Sequence, residues 1–345
     1  MKIMIDLRSD TVTKPTPAMR RAMAEAEVGD EQYGDDPTVK RLEELAAELL
    51  GKEAATFVVS GTMGNLVALL THCGRGDEVI LGDESHIFWF ENGGAAALGG
   101  LPFNMIRNAR FGELPLEDVD NAIRPVRSGY PKTGVVCVEN TQNRCGGTAL
   151  SLSYLRELRS LANGRRVPVH MDGARIFNAA AALGVPARDV AAQADTVQFC
   201  LSKGLGAPVG SILTGSADFI ERARANRKMV GGALRQSGVI AAAGIVALTE
   251  MVDRLPEDQA RAKRLAEGLD ELPGITVDLE AVQTNIVFFK TEPFIPHTEF
   301  AERMKREGVL VSNYGLRGLR MLTHHQIDDA DIDSALKAAS RALRA

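Results

Sequence analysis

In the stretch 194-ADTVQFCLSKGLGAPVGS-211, a largely apolar, β-rich run over Thr196–Leu201 stops abruptly at Ser202, Lys203 and Gly204. A strand written this way belongs to a sheet covered on both faces. Gly204 and Gly206 beyond it allow a tight loop and close backbone approach to a bulky ligand. Working outward, similar runs recur at Phe57–Ser60, Glu78–Leu81, Gly134–Glu139, Pro168–Asp172 and Ser211–Thr214. Amphipathic stretches lie between them at Thr38–Leu50, Gly64–Cys73, Ser153–Asn163 and Ala217–Arg227. This alternation predicts an α/β fold, a sheet with helices on both faces.

Past Leu248 the pattern changes. A charged helix over Glu257–Leu272 is followed by a strand at Asn285–Lys290 and a helix at Thr298–Gly308. Short strands at Leu310–Ser312 and Gly318–Leu322 precede a last helix from Asp329. The expected division is an extended N-terminal arm over 1–17, a large α/β domain over 18–248 and a smaller α+β domain over 249–345.

The 345 residues are 45% hydrophobic and 25% charged, an ordinary globular balance. A net charge of −5 and a pI near 5.8 argue against a nucleic-acid partner. No run approaches the roughly 18 apolar residues of a membrane span. Ser237–Leu248 comes nearest, but it is rich in small residues and reads as a core helix. Asp6, Arg8 and Asp10 leave no room for the apolar region of a signal peptide. Cys73, Cys137, Cys145 and Cys200 lack CxxC or Cys/His metal spacing, which predicts no metal centre and structural thiols in a reducing cytoplasm.

Four strand ends carry candidate chemistry. Lys203, taken alone, is a solvated lysine; at the mouth of a buried strand it is also suited to Schiff-base formation. In 167-VPVHMDGAR-175, Asp172 ends an apolar strand at the edge where α/β sheets bind ligands. A carboxylate there can pair with the ring nitrogen of pyridoxal phosphate (PLP), and Arg175 offers a planar fork for a substrate carboxylate. Without the lysine, the same residues read as an N-cap with an arginine on the first turn. In 57-FVVSGTMGN-65 a strand leads through Ser-Gly-Thr into a helix start, a ready site for the cofactor phosphate. In 81-LGDESHIFWFENGGAAALGG-100, His86 is placed to stack on a flat cofactor or act as a base. Phe88, Trp89 and Phe90 read as packing residues.

Several segments, in order, carry a family resemblance: DLRSDTVTKPTPAM at 6–19, VGDEQYGDDPTV at 28–39, SGTMGN at 60–65, DESHIF at 83–88 and GGAAALGG at 93–100. ENT at 139–141, HMDGARIFNA at 170–179, LSKGLGAPVGS at 201–211, GGALRQSG at 231–238 and RMLTHH at 320–325 complete the set. Together they resemble the low-specificity L-threonine aldolases, of PLP fold type I in the aspartate aminotransferase superfamily. The resemblance implies a mostly parallel seven-stranded sheet with a small C-terminal domain, and a PLP cofactor. It implies retro-aldol cleavage of L-threonine, L-allo-threonine and related L-β-hydroxy-α-amino acids to glycine and an aldehyde. A β-eliminating lyase or aminotransferase on the same scaffold is the alternative.

By resemblance, Lys203 is the Schiff-base lysine, Asp172 the partner of the pyridine nitrogen and His86 the histidine stacked on the ring. Gly61, Thr62 and Ser202 match phosphate-binding positions, and Ser9, Arg175 and Arg320 those that hold the substrate carboxylate. Tyr33, Lys228 and Arg235 match residues that reach in from a neighbouring chain, implying active sites shared between subunits of a homotetramer. One position departs from the pattern. Where many relatives place a histidine against the substrate hydroxyl, this chain has Gln142, whose amide can hydrogen-bond but cannot act as a base.

Overall fold

The computed structural model describes residues 4–291 and 293–344. The chain enters on β1 (Ile5–Asp6), and seven further strands follow: β2 (Ala54–Val58), β3 (Glu78–Gly82), β4 (Phe103–Ile106), β5 (Thr133–Glu139), β6 (Val169–Asp172), β7 (Thr196–Cys200) and β8 (Ser211–Gly215). These seven form one sheet in the order β2–β8–β7–β6–β5–β3–β4. β3 to β7 are parallel, and β8 alone runs antiparallel to both its neighbours. The sheet is therefore the mostly parallel seven-stranded one expected.

The apolar runs are strands because layers cover both their faces. Every residue of β3, β5, β6, β7 and β8 is buried. The sequence reading missed β4, an edge strand that is only half covered and includes Asn104. Helices α1 (Pro17–Glu25), α2 (Pro37–Leu50) and α3 (Gly61–His72) follow local signals. α2 starts on Asp36, whose carboxylate accepts from the Val39 amide, with Pro37 at its first position. α3 begins three residues before the expected Gly64, because Ser60 Oγ caps the Met63 amide and draws Gly61–Met63 into the first turn. Gly64 serves packing there: a Cβ would lie 2.5 Å from Gln198 Cγ on β7.

A smaller C-terminal domain has its own core of Leu265, Phe289, Phe300, Met321 and Ile332, to which Leu7 of the N-terminal segment also belongs. Its antiparallel sheet has the order β12 (Ser312–Asn313), β13 (Leu319–Leu322), β10 (Ile286–Lys290), β9 (Thr276–Val277). The expected single strand at Leu310–Ser312 is two: β11 (Val309–Leu310) pairs in parallel with β1, and β12 turns to pair with β13. Residues 1–3 of the expected arm lie outside the described residues. Among the described residues, no helix is long and apolar enough to cross a membrane.

Parallel pairing brings the C-terminal ends of β3, β5, β6 and β7 to one edge of the sheet. His86, Glu139, Asp172 and Lys203 sit at or just beyond those ends.

Candidate active site

At this edge lies a cavity of about 330 Å³. It is lined by six residues singled out in the sequence: Ser9, His86, Asp172, Arg175, Lys203 and Arg320. Thr11, Phe90, Glu139, Thr141, Asn143 and Tyr314 also line it, and none was foreseen as a site residue. Phe90 was expected to pack; instead it faces the cavity with its ring 5.3 Å from that of His86.

Asp172 is 2% exposed. Its Oδ1 accepts from the Ala174 amide at 3.1 Å and its Oδ2 from Asn65 Nδ2 at 2.9 Å. The Lys203 backbone is held by its carbonyl, which accepts from Thr13 Oγ1 at 3.0 Å and from the Gly206 amide at 2.9 Å. Gly206 sits at φ +79°, a conformation that favours glycine. The first turn of α3 presents the backbone of Gly61 and Thr62; a Cβ on Gly61 would come within 2.9 Å of Cys200 Sγ. Gly61, Thr62 and Ser202 do not line the cavity itself.

Two guanidinium groups do. Arg175 Nε and Nη2 donate to Asp10 Oδ2 and Oδ1, each at 2.7 Å, in a fully buried pair. Burial works against the charges of both partners, but the pairing overrides it: Asp10 is held well below the usual carboxylate range and Arg175 above the usual guanidinium range. Arg320 Nη1 donates to Asn143 Oδ1 at 2.7 Å, and its guanidinium lies 4.3 Å over the Tyr314 ring. Among the described residues its buried Nε has no hydrogen-bond partner. Burial pulls Arg320 down to about 10.

His86 Nδ1 lies 2.9 Å from Glu91 Oε1, and its backbone N–H donates to Glu139 Oε2 at 2.6 Å. Burial opposes protonation of the ring, but the Glu91 hydrogen bond and the charge of Asp172 outweigh it, so His86 titrates above its ordinary value. Burial and the charge of Asp172 push Glu139 up to about 7.

Gln142 is a correction. It is 1% exposed and does not line the cavity. Its Nε2 donates to the Glu84 carbonyl at 2.9 Å and its Oε1 accepts from the Cys145 amide at 2.8 Å, so both ends of the amide are committed to local backbone. Tyr33, Lys228 and Arg235 also lie away from the cavity. Tyr33 is 80% exposed, and Arg235 Nη1 is held by Asp30 and Gln32.

The family model for beta-eliminating lyases matches residues 6–292. The chain belongs to the beta-eliminating lyase family. Within the family it is 46% identical to low-specificity L-threonine aldolase 1 of Arabidopsis thaliana, over 98% of this chain and 96% of that protein. It is also 46% identical to the low specificity L-threonine aldolase of Escherichia coli K12, over 93% and 94%. Among solved structures it resembles the threonine aldolase of Leishmania major, with a TM-score of 0.83 at 20% identity over 98% and 99% of the two chains. Serine palmitoyltransferase of Sphingomonas wittichii superposes with a TM-score of 0.78 at 20% identity, covering 99% and 87%. These structures share the fold, which is the PLP fold type I expected for the family.

The sequence reading passed over Asp10, Asn65, Glu91 and Asn143. All four are ordinary polar residues, and Asp10, Asn65 and Asn143 have partners more than a hundred residues away in sequence, whereas Glu91 meets His86 five residues back. All four fall inside or beside the quoted family segments, which was the available signal.

Proposed function

We propose that this chain is a PLP-dependent lyase that cleaves L-threonine, L-allo-threonine and related L-β-hydroxy-α-amino acids to glycine and an aldehyde. The observation that carries the reading is the cavity that joins Lys203, Asp172, Arg175 and Arg320, in a chain 46% identical to named L-threonine aldolases over nearly its full length.

The residues present suit the cofactor. An amine and a carboxylate from neighbouring strand ends share one cavity with two buried polar atoms lacking partners among the described residues, Arg320 Nε and Thr141 Oγ1. Lys203 would hold the cofactor covalently, Asp172 would pair with its ring nitrogen, His86 would lie against the ring, and Gly61, Thr62 and Ser202 would hold the phosphate. When bound, PLP supplies the electron sink for the breaking Cα–Cβ bond. The protein chooses the bond. Arg320, with Ser9 and the Arg175 nitrogen outside the Asp10 pair, clamps the substrate carboxylate and so orients the Cα–Cβ bond for cleavage. A base then takes the proton of the β-hydroxyl. Gln142 is committed elsewhere and cannot titrate, and both Glu139 oxygens accept backbone N–H groups, so the reading gives that task to His86.

Tyr33, Lys228 and Arg235 complete the reading from a neighbouring subunit of a homotetramer, with Tyr33 toward the substrate and the two cations toward the cofactor. The exposure of Tyr33 and Lys228 on this chain supports it. Four cysteines, all free, are consistent with the cytoplasm.

The test is aldehyde release from a panel of threonine stereoisomers and phenylserine. Keto acid without aldehyde would favour the eliminating or transaminating alternative and sink the aldolase reading. Lys203→Ala is expected to lose borohydride-fixable cofactor and nearly all cleavage; retained turnover refutes the role of Lys203.

A further inference from the structure

The proposed chemistry leaves a buried chain of polar side chains without a role. Asn65, on α3 and 1% exposed, donates from Nδ2 to Asp172 Oδ2 at 2.9 Å and to Glu91 Oε1 at 2.7 Å. Both amide hydrogens thus point at carboxylates, so Oδ1 must accept, and its donor is His170 Nε2 at 3.1 Å. Burial pushes His170 down to about 4 and His72 down to about 3, so both rings are neutral near neutral pH. With its hydrogen on Nε2, His170 accepts at Nδ1 from the Thr196 hydroxyl at 2.9 Å. The Thr196 oxygen in turn accepts from His72 Nε2 at 2.8 Å. Every hydrogen in the chain has one possible direction.

The chain ends at the cavity. Glu91 Oε1 also faces His86 Nδ1 at 2.9 Å. Three buried carboxylates surround this imidazole: Glu91 from the same segment, Glu139 from β5 and Asp172 from β6, with Lys203, Arg175 and Arg320 as the cations on the cavity wall. Glu139 is engaged by the backbone N–H groups of His86 and Asn143, and Asp172 by Asn65 and Ala174. Among the described residues only Glu91 bonds the ring.

We propose that Glu91, oriented by the Asn65–His170–Thr196–His72 chain, is a positioning residue that fixes the hydrogen of His86 on Nδ1 and makes Nε2 the acceptor for the substrate's β-hydroxyl proton. The proposal rests on the retro-aldol reading. As the proton moves to Nε2, the O–H electron pair becomes the second C–O bond of the aldehyde. The Cα–Cβ pair stays with the α-carbon, and return of a proton to that carbon gives glycine, so no net proton is consumed. A carboxylate on Nδ1–H strengthens Nε2 as a base, as in other carboxylate–imidazole pairs.

The experiment is a ring titration of His86 by NMR in histidine-labelled holoenzyme, beside the pH profile of aldehyde release. Glu91→Gln keeps the shape and removes the charge, so protonated His86 loses stabilisation. Its midpoint is expected to fall by about one pH unit. The acid limb of kcat/KM should move to lower pH by the same interval, and the plateau of kcat should drop about tenfold. Glu91→Asp keeps the charge but retracts it by one methylene, and should shift the midpoint down by less. Should Glu91→Gln fail to fold, the Asp variant decides alone. An unshifted midpoint in whichever variant decides overturns the proposal; a merely structural Glu91 would lower activity without moving it. The titration needs no turnover, so the two failures separate. A wild type that releases no aldehyde defeats the retro-aldol reading, whereas an active wild type with an unshifted variant defeats only the relay.

Discussion

The two arginines of the cavity come from different domains and stand in opposite electrical circumstances. Arg175, just past β6 in the large sheet, is neutralised by Asp10 through two bonds of 2.7 Å. Arg320, on β13 of the small domain, has neutral partners: the Asn143 amide oxygen, the Arg8 carbonyl and the Tyr314 ring. Burial disfavours the charge of both. One is rescued by an internal counter-ion, and the other is left as a desolvated cation with a spare N–H. A buried cation without a counter-ion is costly to keep, so its presence points to an anion that arrives from outside. The difference separates two functions that the sequence made look alike. Arg175 is largely part of the frame, with only the nitrogen outside the Asp10 pair left for the proposed clamp, and Arg320 is the charge to which the proposed function assigns the carboxylate.

The comparison breaks most visibly at Asp10. Asp10→Ala leaves Arg175 buried and unpaired and is expected to cost about 3–5 kcal/mol of stability. Urea denaturation measures it, and a loss under about 1 kcal/mol would mean that the pair is not part of the frame. Arg320→Ala should behave in the reverse way, with stability nearly kept and KM for the amino acid raised about a hundredfold, the worth of one charge-assisted contact. Arg320→Lys should recover part of that loss. An unchanged KM for the alanine variant would return the carboxylate to Arg175. The smallest effect is expected at Tyr314, whose ring supports the Arg320 guanidinium by a cation–π contact. Tyr314→Ala should raise KM roughly threefold to tenfold, with less effect on kcat.

Much of this was legible in the sequence, and what was missed has physical causes. Strands buried on both faces write themselves as apolar runs, so the five central ones were placed to within a residue or two. β4 did not, because an edge strand with residues such as Asn104 carries only half the pattern. Nothing local says that β8 runs antiparallel; strand direction is set by which neighbours the connections reach. Lys203 and Asp172 stood out because an ionisable residue at the end of an apolar strand is conspicuous. Asp10 did not, since its meaning lies in a partner 165 residues away. Glu91 sits in a segment whose aromatic residues drew the eye instead. Gln142 shows the limit of a family match: the position aligns with a site residue, yet its amide is engaged by the carbonyl of Glu84 and the N–H of Cys145, the structural role that its residue type equally allowed.

The short strand β1 gives the molecule a seam. Ile5 and Asp6 lie in register with Val309 and Leu310 of the small domain, Asp10 then neutralises Arg175 at the large sheet, and Thr13 ties down the Lys203 carbonyl. One short thread therefore runs from one core to the other by way of the reacting centre. A protease cutting between Leu7 and Thr13 would open that seam without touching a strand of the large sheet, yet the thread tethering the small domain's edge to the lysine loop would be severed.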